Sequence, residues 1–253
     1  MLEHINLNDI EYIAKIAGNA IMEIYNKDFK VEYKDDESPL TEADTKANEI
    51  ICGKLLELYP NIPIMSEENK QIDYKIRKNW EYYWCIDPID GTKEFINKNG
   101  EFTVNIALVY NGVPVLGIVY APAIECMYKS KKGQGAFKNN IRLPIQRDDE
   151  DYIIVASRSH MSDETQKFVD SLEIKKEKKM ISKGSSLKLC MVADGTADIY
   201  PRLAPTMEWD TVAADAIVRE SGKRSYQYDT NNEVLVYNKE NLLNPWFIVM
   251  DKS

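Results

Sequence analysis

Histidine is scarce in this chain: His4 and His160 are the only two among 253 residues. No imidazole cluster is available to build a zinc centre. Cysteine is nearly as sparse. Cys52, Cys85, Cys126 and Cys190 stand singly in mostly apolar settings, without a C-x-x-C pair, and read as buried free thiols rather than a zinc or redox site. No apolar run approaches the roughly 18 residues of a membrane span, and the N-terminus lacks a basic-then-apolar leader pattern. The expected location is the cytoplasm, free or peripheral on the cytoplasmic face of the membrane. Positive charge is also in deficit, with a net charge of -9, which excludes a nucleic-acid polymer binder because such proteins need a basic stripe. There is no G-x-x-x-x-G-K-[ST] loop, so P-loop hydrolysis of a nucleoside triphosphate is unsupported. Gly133-Gln134-Gly135 lacks the third glycine and following helix of a nucleotide loop, and reads as a turn between strands.

What is present is ample core material, with 44% hydrophobic residues, enough for one large domain or two closely joined halves. Apolar residues Ile10, Ile13, Ala14, Ala17, Ile21 and Ile24 recur at helical spacing and predict a first amphipathic helix from about Asn8. After the charged stretch 34–37, Thr41 is a good N-cap for a second helix, with Ala47, Ile50, Ile51, Leu55 and Leu58 on one face and Pro60 at its end. Thr41 and Asp44 have capping-box spacing, which is the simpler reading of Asp44; the other is an acid close to a metal site. Residues 62–65 predict a strand delivering Ser66, Glu67 and Glu68 to a sheet edge. For Glu67, as for most charged residues after strands, solvation is the commoner fate and metal binding the rarer one. Residues 69–79 read as a polar surface loop.

The run Tyr82-Tyr83-Trp84-Cys85-Ile86 is aromatic and β-branched, as a buried strand is, and ends in Asp87-Pro88-Ile89-Asp90-Gly91-Thr92-Lys93-Glu94-Phe95. A turn here can aim two carboxylates and a carbonyl at a metal, while the Gly91 and Thr92 amides at a helix start face a phosphate. Thr103–Tyr110 and 113–120 flank an Asn111-Gly112 hairpin turn. The first half thus pairs two helices with an antiparallel sheet. A charged linker, 147–151, suggests a boundary between an N-terminal α+β subdomain, 1–147, and a C-terminal α/β subdomain, 148–253, within one compact unit. In the second part a strand at 152–156 runs into Ser157-Arg158-Ser159-His160. It is followed by a helix from near Ser162, a strand near Met180, a helix after Gly184-Ser185-Ser186 and a strand at 197–200. A helix at 210–221 closed by Gly222 and strands at 234–237 and 246–250 complete the alternation.

If Glu67, Asp87, Asp90 and Asp210 converge, the four carboxylates repel unless cations sit between them. Hard oxygen donors select Mg2+, with Mn2+ as a substitute, and the chemistry that follows is metal-assisted hydrolysis of a phosphate ester. Asp-x-Asp-x-Thr phosphatases use the first aspartate as a nucleophile. Here the aspartates are three apart with Pro88 between them, which favours metal ligation with water as nucleophile.

Asp87-Pro88-Ile89-Asp90-Gly91-Thr92 and Trp209-Asp210-Thr211-Val212-Ala213 resemble the two signatures of the inositol monophosphatase superfamily, and both occur in order. The likeness runs nearly end to end. It is closest to the CysQ-type branch, the 3'(2'),5'-bisphosphate nucleotidases, through 38–44, 90–95, 100–107, Ser157 to His160, Gly184-Ser185-Ser186-Leu187-Lys188 and Tyr200-Pro201-Arg202. Ser66 and Ala204 stand where many relatives carry glycine.

The resemblance implies a layered αβαβα sandwich of the inositol monophosphatase and fructose-1,6-bisphosphatase type. Its N-terminal half would hold an antiparallel sheet and its C-terminal half a smaller mixed sheet. It implies two or three Mg2+ ions held by Glu67, Asp87, the Ile89 carbonyl, Asp90 and Asp210. Asp44 and Thr92, with Glu67, would serve the attacking water, while Gly91 and Thr92 hold the scissile phosphate. Asp90, Asp210, His160, Ser185, Lys188 and Arg202 would surround the nucleotide. Taken alone, Lys188 reads more simply as a surface residue, Ser185 as a cap and His160 as structural. The implied reaction converts adenosine 3',5'-bisphosphate to AMP and phosphate, in the service of sulfate assimilation, with lithium sensitivity and a monomeric or homodimeric state. The alternatives are an inositol or broad sugar phosphatase of the same superfamily, or a silent phosphonucleotide sensor.

Overall fold

The computed structural model describes residues 1–29, 31–33, 39–147, 151–157 and 162–251, with backbone alone at 32, 33, 39 and 40. His160, Arg158, Ser159, Ser38 and most of the charged stretches at 34–37 and 147–151 lie outside the described residues.

Helix α1 (Leu7–Tyr25) is capped by the Asn6 side chain and buries Ile10, Ile13, Ala14, Ala17 and Ile21, the face its spacing predicts. Strands β1 (Val31–Tyr33) and β2 (Pro39–Thr41) pair antiparallel and lead into α2 (Glu42–Leu58). The capping box is present: Thr41 Oγ1 accepts from the Ala43 amide, and Asp44 Oδ2 accepts from the Thr41 amide at 2.8 Å.

Next come β3 (Ile64–Ser66), α3 (Tyr74–Arg77), β4 (Tyr82–Asp90) and α4 (Thr92–Ile96). They are followed by β5 (Thr103–Tyr110), β6 (Val113–Ala121), β7 (Cys126–Lys131), β8 (Gly135–Lys138) and β9 (Ile141–Arg142). The seven strands β3 to β9 form one sheet in sequence order. It is antiparallel as expected except at one edge, where β3 and β4 run parallel. The connection 67–81 is long enough for a crossover, which a parallel pair requires. That connection is not a plain surface loop. It contains α3, and Arg77 is buried there, donating to Asn238 Oδ1 and the Glu240 carbonyl, each at 2.8 Å. The segment is thereby pinned to the far end of the chain.

The second part contains β10 (Tyr152–Ser157), α5 (Asp163–Ser171), β11 (Lys178–Lys183), α6 (Leu187–Asp194), β12 (Tyr200–Arg202), α7 (Val212–Glu220), β13 (Arg224–Gln227) and β14 (Phe247–Met250). β10 and β11 are parallel, while β12, β14 and β13 are antiparallel in that order. A parallel bridge between Ile154 and Ile199 joins the two sets into one small mixed layer. The strand expected at 197–200 is therefore displaced toward Arg202. No strand forms at 234–237 either: Val234 makes an isolated bridge to Tyr226, while Leu235 and Tyr237 are buried individually. The layers run α1 and α2, large sheet, α6 and α7, small sheet, α5.

Side-chain alternation explains why the large sheet can sit in the middle. Trp84, Ile86, Val104, Ile106 and Leu108 join the core under α1 and α2. Their neighbours Tyr83, Cys85, Ala107 and Val109 join the opposite core with Leu189, Val212, Ala213 and Phe247. Both faces are apolar, and the second core contains residues from either side of position 147. Sheet and helix approach closely at Gly117 on β6. A Cβ there would lie 2.1 Å from the Ala213 carbonyl oxygen and 2.8 Å from the Ala216 Cβ. Gly117→Ala is expected to force α7 off the sheet at a cost of about 1–3 kcal/mol or more. In a chain of this size, thermal denaturation should register this as a loss of roughly 2–4 °C per kcal/mol.

Candidate active site

Two aspartates three apart on a regular strand would point to opposite faces. In β4 the register jumps instead: Asp87 pairs with Asn105 and Asp90 with Thr103, so three steps on β4 match two on β5. That one-residue bulge returns both acids to the face looking toward α6 and α7. Pro88 lies inside the bulge, where its missing amide leaves no ladder bond unmade. The expected turn is thus a strand that continues, bulged, to Asp90. Gly91 follows at φ 91°, a left-handed conformation that starts the five-residue helix α4.

Parallel pairing of β3 with β4 sets the Glu67 amide on the Ile86 carbonyl at 3.1 Å, beside Asp87. Asp210 comes from the turn before α7, where its Oδ2 accepts from the Met207 amide at 2.8 Å. The turn itself is anchored by Glu208, fully buried, which accepts from the Asn238 and Lys239 amides and from Lys239 Nζ. One carboxylate oxygen from each of Glu67, Asp87 and Asp210 lies within 4.8 Å of the others. Asp90 stands beside this triad with its Oδ2 turned to Ser186.

Burial, and then the charges of Glu67, Asp90, Asp210 and Asp44, push the Asp87 carboxyl well above its ordinary range. Asp210 is pushed up to about 8, chiefly by burial and next by Asp90. Asp90 is raised by burial, with the Lys188 charge and hydrogen bonds from Ser186 and Asn105 opposing. Acids held this close in a buried site are a strained arrangement for the protein alone, and they constitute an all-oxygen donor set suited to a hard divalent cation.

A cleft of about 270 Å³ opens over the acids. Glu67, Asp87, Ile89, Asp90, Gly91, Thr92, Ser185, Lys188, Arg202 and Asp210, all singled out from sequence, line it. Asp44 is buried behind it, and its second oxygen, Oδ1, lies 3.4 Å from the Thr92 hydroxyl, which is also 3.3 Å from the Ile89 carbonyl. The capping reading of Asp44 holds for one oxygen, and the other faces Thr92. Lys188 is not a surface residue. It is buried, donates to the Ser185 carbonyl at 2.5 Å and is lowered to about 8 by burial, against the pull of Asp90. Its Nζ lies 5.6 Å from the centre of the Tyr200 ring. Arg202 is buried beside it and donates to the Pro205 carbonyl at 2.7 Å, while its Nε has no acceptor among the described residues. Ser185 adopts φ 50° ahead of α6.

Sequence reasoning passed over Tyr200, Ser186 and Asn105 as site residues. Asn105 carried a usable signal, since it is an amide in the middle of a strand buried on both faces.

The chain matches the inositol monophosphatase family model over residues 2–249. It belongs to the inositol monophosphatase family. Within the family it is similar to proteins named 3'(2'),5'-bisphosphate nucleotidase CysQ. The one from Salmonella typhimurium is 44% identical over 249 residues, covering 96% of this chain and 98% of the relative. The Escherichia coli protein is 43% identical with the same coverage. Among solved structures, CysQ from Bacteroides thetaiotaomicron superposes with a TM-score of 0.89 at 45% identity, over 98% of this chain and 97% of that one. A Thermotoga maritima IMPase gives a TM-score of 0.78 at 26% identity, covering 95% and 89%.

Proposed function

We propose that this chain is a metal-dependent 3'(2'),5'-bisphosphate nucleotidase that removes the 3'-phosphate of adenosine 3',5'-bisphosphate to give AMP and phosphate. 3'-Phosphoadenylyl sulfate is its second substrate. The carrying observation is the juxtaposition, across one cleft, of the Glu67, Asp87 and Asp210 carboxylates with the buried cations Lys188 and Arg202. A monophosphate needs only the first set; a bisphosphate also needs countercharge for the phosphate that stays. Likeness to the CysQ nucleotidases supports the same reading. No helix among the described residues is long and apolar enough to cross a membrane, and we assign the enzyme to the cytoplasm as a monomer or homodimer.

In this reading Glu67, Asp87, the Ile89 carbonyl, Asp90 and Asp210 would hold two or three Mg2+ ions. When bound, magnesium supplies Lewis acidity, acidifying water and offsetting charge on the phosphate oxygens. Asp44 orients the Thr92 hydroxyl, and the two form a path by which a proton leaves the attacking water toward Asp44 Oδ1. The amides of Gly91 and Thr92 hold the scissile phosphate. Arg202 and Lys188 hold the remaining phosphate by charge-assisted hydrogen bonds. Ser185 and His160 complete the proposed nucleotide contacts.

A substrate panel with and without magnesium tests the assignment. Phosphate release from adenosine 3',5'-bisphosphate should be magnesium-dependent and faster than from inositol 1-phosphate; the reverse order would reject the specificity. Magnesium should also stabilise the fold, because it binds the native acid cluster and not the unfolded chain. At a hundredfold excess over Kd the gain is about 2.7 kcal/mol. The unfolding temperature should therefore rise by roughly 5–10 °C over protein in chelator.

A further inference from the structure

Ser186 and Asn105 take no part in the chemistry above, yet three separate segments of the chain meet on them. Asn105 lies opposite Asp87 on β5, and Ser186 immediately precedes α6. The Ser186 amide donates to Asp90 Oδ2 at 2.6 Å, and its hydroxyl lies 2.5 Å from the same oxygen and 2.7 Å from the Asp210 carbonyl. Asn105 Nδ2 donates to Ser186 Oγ at 2.7 Å and to Asp90 Oδ2 at 3.3 Å. Both residues are almost fully buried, at 2% and 1% exposure. A serine hydroxyl has one proton and two lone pairs. Here the proton is shared between the Asp90 carboxylate and the Asp210 carbonyl, and the Asn105 amide occupies a lone pair. Three donors therefore converge on one oxygen of Asp90. The carboxylate cannot swing without breaking them, and Oδ1 is the oxygen left for a cation.

We propose that Ser186, braced by Asn105, is a positioning residue that aims Asp90 and fixes the backbone of Asp210, and so sets the affinity of a cation position beside the Glu67, Asp87 and Asp210 triad. The proposal rests on the reading of Asp90 as a metal-holding residue. It assigns a reason for the second serine of Gly184-Ser185-Ser186. The end of β4, the start of α6 and the turn before α7 come from distant parts of the sequence, and one buried hydroxyl ties them together. Partners of this kind, one shell outside a metal, typically change affinity by about 10–100-fold when removed.

The test titrates magnesium calorimetrically into the metal-free full-length protein and, separately, follows the magnesium concentration for half-maximal hydrolysis. Ser186→Ala keeps the amide donor and loses only the hydroxyl. It should weaken magnesium binding at one class of site by about tenfold or more, while kcat at saturating magnesium falls less than the affinity does. Ser186→Thr should restore affinity toward the wild-type value, and Asn105→Ala should shift it in the same direction as Ser186→Ala by a smaller factor. Asn105→Ala also carries the test if Ser186→Ala does not fold. Wild-type magnesium isotherms in the folded variants would overturn the positioning role while leaving the nucleotidase assignment intact. A wild-type protein that hydrolyses the bisphosphate equally well in chelator would instead remove the metal reading, and this proposal with it.

Discussion

Asp87→Asn is expected to lower kcat on the order of a thousandfold while leaving the metal-free protein at least as stable as the wild type. The first effect follows from the loss of the most buried carboxylate of the triad, 1% exposed and shared between the Glu67 and Asp210 sides of the cluster. A thousandfold corresponds to about 4 kcal/mol at 1.36 kcal/mol per decade, within what divalent-cation stabilisation of a phosphoryl transition state supplies. The second effect follows from repulsion. Asp87 is surrounded by the charges of Glu67, Asp90, Asp210 and Asp44, and a neutral amide removes that load. Its Oδ1 can still accept from the Ile89 amide, now at 3.0 Å. Steady-state kinetics at saturating magnesium and thermal unfolding in chelator measure the two arms. Undiminished turnover would remove Asp87 from the catalytic centre. A large loss of stability in chelator would show that the acids do not strain the fold, and that its assembly depends on the Asp87 charge.

Arg202→Ala should raise KM for adenosine 3',5'-bisphosphate by roughly tenfold to a hundredfold, the equivalent of one charged hydrogen bond of about 1.5–3 kcal/mol. KM for a nucleoside monophosphate substrate should move far less. Arg202 lies in the wall of the cleft beside Lys188, with its charge toward the same space. Lys188→Ala should share the effect on KM and add a loss in kcat, because the Lys188 charge also acts on Asp90. Equal shifts in KM for both substrates would deny these cations a selecting role. The comparison separates holding the phosphate that stays from cleaving the phosphate that leaves.

Much of this site could be read before any coordinates. Asp87, Asp90, Gly91 and Thr92 are adjacent, and their chemistry is local: acids for a cation, then a glycine and threonine at a helix start. Periodicity likewise located α1 and α2, and alternation with the Asn111-Gly112 turn located the β5–β6 hairpin, since those signals come from neighbouring residues. The capping box of Thr41 and Asp44 is equally local. Taken without the family resemblance, Lys188 reads as a surface residue, and Arg77 falls in the stretch 69–79 that reads as a polar surface loop, since long cations are usually exposed. Both are buried here, since Lys188 is matched to Asp90 and the Ser185 carbonyl and Arg77 to the tail at Asn238 and Glu240. Those partners are close in space but distant in sequence, so no window of residues contains the information.

The sequence alone determined which acids the protein has to offer and that Pro88 separates two of them. Only the tertiary structure decided that those two face the same way, because strand alternation would have parted them and the bulge against Asn105 and Thr103 brings them together. Likewise, only packing of α6 and α7 against the large sheet, with β12 against α6, carries Asp210, Lys188 and Arg202 to one cleft. Gly117 permits the close approach that makes this packing possible. Local chemistry is written in short segments; a cleft requires long-range burial to bring those segments to one place.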